Sequence, residues 1–368
     1  MKIMEKLVKE IAAQFSIDDT RLVDVKPFGS GHINDTYRAV FVDGEEKRQY
    51  IFQRINTHVF RKPDLLMENI TRVLAHSVGK LRGRPDCDRR CIHLIPAKDG
   101  KMFYIHGEEC WRSYRFIDDA RTYNILETEE QAYHAARAFG EFQMLLEDLP
   151  GTRLHETIPN FHNTPSRYAD FERAAHENPA KRAASCASEI DFARKNCWVA
   201  PILLDLQNKG QIPERITHND TKLNNVLLDN KTGEGLCVID LDTVMPGLSL
   251  YDFGDLVRTS VSPAAEDETD LSKVQVRTNF FRPLVKGYLD GAQGCLTRKE
   301  IELLPFSGIL ITYEIGLRFL TDYLNGDTYF RVKHENHNLE RCRNQFALVR
   351  CLMEKEDEMN EIVKEFLK

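Results

Sequence analysis

His218-Asn219-Asp220-Thr221-Lys222-Leu223-Asn224-Asn225 runs directly into a β-prone segment, 225–228. That segment turns through Asp229-Asn230-Lys231-Thr232-Gly233 into a second, 236–239, which ends in Ile239-Asp240-Leu241-Asp242. The pattern predicts a loop, then a two-stranded hairpin, with carboxylates emerging from the sheet end beside Asn225. Phosphoryl transfer needs these residue types. An Asp orients an attacking hydroxyl and takes its proton, while an Asn five positions on can turn its amide oxygen to a metal ion bridging the phosphates. Carboxylate and amide oxygens suit Mg²⁺, which keeps several waters and takes the rest of its ligands from phosphate. The expectation is Asp220 as catalytic base, and Asn225 and Asp240 as metal ligands.

Around this element the chain changes character. Residues 3–15 place Ile3, Leu7, Val8, Ile11 and Phe15 on one helical stripe, and β-prone segments follow at Thr36–Val42 and Gln49–Ile55, separated by Asp43-Gly44. A helix is expected over Asp64–Ser77, and strand-like pieces lie at 91–95, 102–105 and 110–117. From about Asp118 the periods become helical: 131–149, 167–176, 187–207, 273–290, 300–325 and 339–366. Helix 300–325 is apolar nearly all round, which predicts a buried central helix. With 368 residues, about two domains are expected, and no internal repeat or Pro/Gly/Ser-rich linker divides them.

Composition narrows the partners. Fifty Lys and Arg against 57 Asp and Glu leave a net charge of −7, so no chain-wide positive field gathers nucleic acid or anionic lipid. No long apolar run suggests a membrane span, and nine scattered cysteines fit reduced thiols, so a cytoplasmic protein is expected. Cys87, Cys91 and His93 form the one cluster with metal-ligand types, but a structural zinc site wants a fourth ligand, and loop thiols are the plainer reading. The acidic stretch Ala265-Glu266-Asp267-Glu268-Thr269-Asp270 reads as a solvated helix start.

Phe28-Gly29-Ser30-Gly31-His32 forms a glycine turn between β-prone stretches, where backbone amides of Gly29, Ser30 and Gly31 can approach phosphates closely. The following strand, Tyr50-Ile51-Phe52-Gln53-Arg54-Ile55, holds no Lys. Counting along it puts Gln53 on the phosphate side and Arg54 on the opposite face; either a bulge brings Arg54 round to supply the charge, or the loop amides do more of the work. Glu68 is either a partner for Arg54 or part of a solvated helix face. Asp252-Phe253-Gly254 spells the metal-binding triplet of protein kinases, yet no short hairpin places it after Asp220. Asp252 is therefore read as a carboxylate that holds the backbone of the catalytic loop. Arg318 has Glu314 four residues before it and Asp322 four after, which predicts a buried, paired guanidinium.

The combination His218-x-Asp220, Asn225, Ile239-Asp240 and the Asp252 segment resembles the aminoglycoside phosphotransferase and choline kinase superfamily, which shares the protein kinase fold. The strings at 217–225 and 239–247, Gly31-His32-Ile33-Asn34, Asp252-Phe253-Gly254-Asp255 and Leu303-Leu304-Pro305-Phe306-Ser307-Gly308 are similar to its N-acetylhexosamine 1-kinase branch. The resemblance implies an α+β, protein-kinase-like bilobal fold: a small β-rich N-lobe over 1–114, a hinge at 115–118 and a mainly helical C-lobe over 119–368. It implies ATP- and Mg²⁺-dependent phosphorylation of the anomeric hydroxyl of N-acetylglucosamine or N-acetylgalactosamine. His32, Asp220, Thr243, Arg318 and Tyr329 match positions that face the sugar, and Arg115-Phe116-Ile117 resembles the segment that meets adenine. Arg54 or Gln53 stands where the superfamily usually carries its phosphate-clamping base. The alternative within enzymes is a kinase for another small alcohol, of aminoglycoside, choline or homoserine type; a non-catalytic kinase-like module is opposed by the presence of base, Asn and metal Asp together.

Overall fold

The computed structural model describes residues 2–17, 21–29 and 33–367. It is a mixed α+β chain with a β-sheet N-terminal region and a helical C-terminal region. Its internal contacts divide it into two units, one made of 1–120, 149–158 and 237–244, the other of 121–148, 159–236 and 245–368. The segment 237–244 is tied into the first unit by its backbone carbonyls: Thr157 Oγ1 donates to Asp242 O at 2.8 Å, and Asn69 Nδ2, from helix Pro63–Leu81, to Val244 O at 3.1 Å.

In the first unit, β1 (Arg21–Pro27), β2 (Asp35–Asp43), β3 (Glu46–Ile55), β4 (Leu94–Ile95), β5 (Tyr104–His106) and β6 (Glu109–Arg115) form one sheet in the order β1-β2-β3-β6-β4, with β5 also on β6. β2 and β3 stay in unbroken register from Asp43↔Glu46 to Asp35↔Arg54 around Gly44, whose φ of 60° suits the tight turn. Helix Lys2–Ala12 lays Val8, Ile11 and Ala12 against Phe41, Phe52 and Trp111, the apolar face that its sequence stripe predicted. Helix Pro63–Leu81 begins, as expected, on a proline whose missing N–H costs nothing in the first turn.

The second unit is helical. Helix Glu129–Leu146 starts on a capping box between Thr128 and Gln131 and runs against helix Thr278–Ala292. The approach is close enough that a Cβ on Gly140 would fall 2.2 Å from Tyr288 O, and one on Gly291 2.2 Å from Arg137 O. Helix Leu304–Leu324 is buried almost throughout, as its sequence implied. The long periods at 187–207, 300–325 and 339–366 are each interrupted. The first breaks at Cys197–Val199 ahead of Pro201, the second at Leu303 ahead of Pro305, the third at Lys355. The acidic stretch is not a solvated helix start. It is a turn whose carboxylates are consumed by cations: Glu266 meets Arg258 at 2.6 Å, Asp267 meets Lys333 at 2.7 Å and Glu268 meets Lys273 at 2.9 Å. Arg258, only 4% exposed, demands such partners.

The nine cysteines carry no disulfide. Burial pushes the Cys91 thiol up to about 11, which disfavours the thiolate a metal would need. Among the described residues no group of three or more His, Cys, Asp or Glu is arranged to hold a metal ion. Likewise, no helix is long and apolar enough to cross a membrane.

Candidate active site

Strand Arg215–Thr217 pairs antiparallel with Met245–Gly247, Thr217 opposite Met245, and this short ladder leads into the loop at 218–225. Gly247 is required here: a Cβ would fall 2.3 Å from Thr217 Oγ1 and 2.7 Å from Asn219 Oδ1. Asn219 takes a left-handed φ of 63°, a conformation Asn tolerates better than most residues. Both oxygens of Asp252 hold the loop, accepting the backbone N–H of His218 at 2.9 Å and of Asn219 at 2.7 Å. The kinase-like triplet thus serves as scaffold. Phe253 packs on Phe281 and Tyr288, and Gly254 passes so close to the central helix that a Cβ would fall 2.4 Å from Ser307 O. Burial, partly offset by the loop around it, raises the Asp252 carboxyl to about 6.

A second support carried no signal in the sequence. His162 Nε2 donates to Asn219 O at 2.9 Å while its Nδ1 faces Glu314 Oε1 at 2.7 Å, and Glu314 also accepts from Thr164 Oγ1 at 2.6 Å. Burial opposes charge on His162, but Glu314 outweighs it and raises the imidazole's pKa. His218, by contrast, accepts the Asp220 N–H at its Nδ1 (3.2 Å) and is wedged edge-on between Phe139 and Phe142. It is a packed loop residue.

Asp220 follows on this loop with its side chain 24% exposed. Asn225 Nδ2 donates to its backbone O at 2.8 Å and to its Oδ2 at 2.9 Å, and Lys222 Nζ stands 3.0 Å from its Oδ1. Burial raises the Asp220 carboxyl, but Lys222 and the charges beyond it win, holding it below the usual range and ionised at neutral pH. Asn225 is oriented by the same bonds: its amide nitrogen is spent on Asp220, and its Oδ1 accepts no hydrogen bond among the described residues. A hard oxygen donor left over beside a carboxylate fits Mg²⁺. Lys222 had no role assigned from the sequence; its place two residues after the motif's Asp was the available clue.

In the first unit, Asp240 sits at the end of the hairpin strand Gly235–Val238 with φ 61° and ψ 61°, an exposed carboxylate on a left-handed residue. Its neighbours Leu241, Asp242 and Thr243 are buried. Asp242 holds the turn in place through an ion pair of 2.5 Å to Arg112 of β6, the two side chains 4% and 1% exposed, and accepts Asn34 Nδ2 at 2.6 Å. Arg112 Nε donates to Gln53 Oε1, and Gln53 Nε2 to Thr36 Oγ1, both at 3.0 Å. Asn34 Oδ1 in turn accepts the Asn56 N–H at 2.9 Å. One connected network therefore joins the residues just after the glycine turn, the centre of the sheet and the Asp240 turn.

This network corrects the expectation for Arg54. Thr36↔Gln53↔Arg112 and Asp35↔Arg54↔Trp111 are successive rungs of regular ladders, so no bulge brings Arg54 to the Gln53 face. Its guanidinium is engaged on the other face by Asp35 and Glu109. Glu68 instead meets His155 Nε2 at 3.1 Å. The cation on the Gln53 face is Arg112, one strand over, which counting along a single strand cannot find.

Of the remaining expected site residues, Ser30, Gly31 and His32 lie outside the described residues, while Gly29 takes a φ of 82°. Thr243 is buried in the Asp240 turn. At the end of β6, Arg115 N–H donates to His93 O at 2.9 Å and Phe116 N–H to Gln49 O at 3.0 Å, and the Phe116 ring meets Phe28 edge-on. Ile117 follows, half-buried. Tyr329 is 52% exposed, its N–H held by Asp322 Oδ1 at 2.8 Å. Arg318 does not pair with Glu314 or Asp322. Glu314 is taken by His162 and Thr164, and Asp322 accepts the N–H groups of Thr328, Tyr329 and Phe330 together with Asn338 Nδ2. The guanidinium lies instead over the rings of Phe161, Phe330 and Tyr329, at 5.0, 5.5 and 5.8 Å from their centroids.

A loop Asp held ionised by Lys222 and oriented by Asn225, with a scaffold carboxylate behind it, is an arrangement that suits the transfer of a phosphoryl group. The model of the phosphotransferase enzyme family matches residues 24–278. The chain belongs to that family. Among solved structures it is similar to an aminoglycoside phosphotransferase of Alicyclobacillus acidocaldarius, at 12% identity and TM-score 0.58, over 98% of this chain and 96% of that one. It is also similar to a choline kinase of Cryptosporidium parvum, at 15% identity and TM-score 0.57, over 99% of both chains. A spectinomycin phosphotransferase, solved with ADP and spectinomycin, matches at 13% identity and TM-score 0.55, over 95% and 97%. At these identities the likeness is one of fold, and it agrees with the kinase-like architecture expected for this phosphotransferase.

Proposed function

We propose that this phosphotransferase moves the γ-phosphoryl group of ATP to the anomeric hydroxyl of N-acetylglucosamine or N-acetylgalactosamine, giving the sugar 1-phosphate and ADP. The observation that carries the reading is Asp220: ionised, partly exposed, and aimed by Asn225 Nδ2 and Lys222 Nζ. In this reading Asp220 aligns the hydroxyl and accepts its proton as the anomeric oxygen bonds to phosphorus and the bond to the ADP oxygen breaks. An anomeric hydroxyl is more acidic than an ordinary alcohol, so a weakly basic carboxylate suffices, and a loose transition state asks for the proton only late. Asn225 and Asp240 would hold Mg²⁺, which neutralises charge on the nucleotide phosphates. The resemblance assigns the amides around Gly29, Ser30 and Gly31 to those phosphates and Arg115-Phe116-Ile117 to the adenine. The sequence strings at 217–225, 239–247 and 303–308 support assigning His32, Thr243, Arg318 and Tyr329 to the sugar.

The second reading is a kinase for another small alcohol, favoured by the fold shared with the spectinomycin phosphotransferase and the choline kinase. ADP release with N-acetylglucosamine, N-acetylgalactosamine, kanamycin and choline, each with and without Mg²⁺, separates the two. Mg²⁺-dependent turnover of the N-acetylated sugars is expected, and turnover of the amines alone would defeat the proposal.

A further inference from the structure

The peptide that leads into Asp220 is held at both ends. His162 Nε2 meets the Asn219 carbonyl at 2.9 Å, and His218 Nδ1 accepts the Asp220 N–H at 3.2 Å. A planar peptide has a single tilt, and the direction in which the Asp220 side chain leaves the backbone follows from it. The donor count on His162 fixes its charge. A carbonyl only accepts, so Nε2 carries a proton. Nδ1 stands 2.7 Å from Glu314 Oε1, on a carboxylate whose other oxygen takes the Thr164 O–H at 2.6 Å, so Nδ1 carries a proton too. His162 is therefore an imidazolium, its side chain 4% exposed and that of Glu314 0%. Around it stand Glu314 and Arg318 of the central helix, Asp252 and the Tyr251 ring of helix Ser249–Ser260, and the ring of Phe161, while Arg167 lies within electrostatic reach of Glu314. Burial opposes the charge most strongly and Arg318 more weakly, but Glu314 and the Asn219 carbonyl together raise the imidazole above its ordinary 6.5. On deprotonation Glu314 keeps the Nδ1 proton. The proton that leaves is the one on Nε2, and a lone pair then faces the Asn219 carbonyl.

Resting on the reading of Asp220 as the base of the transfer, we propose that His162 is a positioning residue that works only as an imidazolium: its Nε2 proton holds the Asn219–Asp220 peptide so that the Asp220 carboxylate meets the acceptor hydroxyl, and Glu314 keeps the charge in place. His162 acts through the backbone of Asn219. Misplacing a reacting group by about 1 Å costs about 100-fold in rate, so a carbonyl turned away from a lone pair is felt at Asp220. The hold is complete at neutral pH and is lost as pH climbs through the raised value of the imidazole, which gives the enzyme an alkaline limb set in the support of the loop. Replacing Glu314 by Gln removes that limb. The Gln amide would donate to Nδ1 while its oxygen accepts from Thr164, and a neutral imidazole then keeps its one proton on Nε2.

The test is the pH profile of kcat for the intact enzyme with saturating ATP, Mg²⁺ and N-acetylglucosamine, or with kanamycin or choline should one of those be the alcohol turned over. Between pH 7 and 10 the wild type is expected to lose at least about 10-fold in kcat, with its circular dichroism unchanged. Glu314→Gln should flatten the profile, its kcat at pH 7 and pH 10 agreeing within about 2-fold. His162→Leu combined with Glu314→Met removes hold and charge together without stranding a buried ion; it should lower kcat by at least about 30-fold while the KM for ATP moves less than about 2-fold. Nitrogen NMR of ¹⁵N-histidine protein, with the His162 signals identified by their loss in that double variant, should show both ring nitrogens protonated at pH 7 and Nδ1 alone at pH 10. A flat wild-type profile, or an alkaline limb in Glu314→Gln like that of the wild type, overturns the proposal even if the double variant fails to fold. A folded double variant within about 3-fold of the wild-type kcat does the same. Loss of the limb in Glu314→Gln with choline or kanamycin as the acceptor would uphold His162 and sink the N-acetylhexosamine reading; a persistent limb with N-acetylglucosamine turned over would do the reverse.

Discussion

The ion pair between Arg112 and Asp242 is the point at which the first unit is most exposed to a single substitution. The groups stand 2.5 Å apart with side chains 1% and 4% exposed, so neither charge has water to fall back on. Removing one partner of such a pair costs about 3–5 kcal/mol, because the survivor is left charged in a dry interior, whereas replacing both is often close to neutral. Asp242→Asn and Arg112→Met should each lose about that much, and the double variant should recover most of it, giving a coupling energy of about 3 kcal/mol or more. The assay is urea unfolding followed by tryptophan fluorescence. Of the two tryptophans, Trp111 lies buried in β6 beside Arg112, and Trp198 lies 51% exposed in the other unit. A Trp198→Phe background therefore reports the sheet alone. With a urea slope of about 2 kcal/mol/M, each single substitution should lower the midpoint by about 1.5–2.5 M. Single losses below about 1 kcal/mol that simply add would refute the reasoning, since they would mean the pair is hydrated. The pair also anchors the turn in which Asp240 adopts its left-handed backbone, a conformation that costs about 1–2 kcal/mol per residue outside glycine.

Three further outcomes follow from the second unit. Asp220→Asn should lower kcat by at least about 10³-fold while leaving the melting temperature within a few degrees, as read by steady-state kinetics and calorimetry; a rate within 10-fold of wild type removes Asp220 from the chemistry. The Asp252 carboxyl titrates at about 6 in the folded protein, above its ordinary 3.8, so between these pH values the folded state binds a proton that the unfolded chain has released. Its contribution to stability is therefore greatest below the lower value and declines as pH rises to the upper one, by about 3 kcal/mol in total. Urea titrations at pH 4 and 7 should show this fall in the wild type and lack it in Asp252→Asn; equal pH slopes would contradict it. Gly291→Ala should cost at least about 2 kcal/mol in chemical unfolding, because its Cβ would press on the Arg137 carbonyl in the neighbouring helix, and a neutral result would mean that the helices separate freely.

The features legible in the sequence were those that depend on local spacing. The loop at 218–225, the hairpin at 226–238, the buried central helix and the scaffold role of Asp252 each rest on residues close in the chain or on a strong period. What escaped was set by contacts across long separations. Arg112 joins Asp242 across 130 residues and reaches Gln53 from a neighbouring strand, and His162 meets Glu314 across 152. Arg318 was misread for a related reason. Helical spacing put Glu314 and Asp322 within its reach, but spacing does not show that His162, Thr164 and three backbone N–H groups had prior claim on those oxygens. The acidic run at 265–270 likewise looked solvated until Arg258, Lys273 and Lys333 were placed around it.

Phosphorus NMR of the product formed from ATP, Mg²⁺ and N-acetylglucosamine is the most direct trial of the account. An anomeric phosphate, with its coupling to the C1 proton and with none formed by Asp220→Asn, is the result expected. Phosphate on C6, or no phosphorylated sugar under conditions where the enzyme turns over another alcohol, would contradict it.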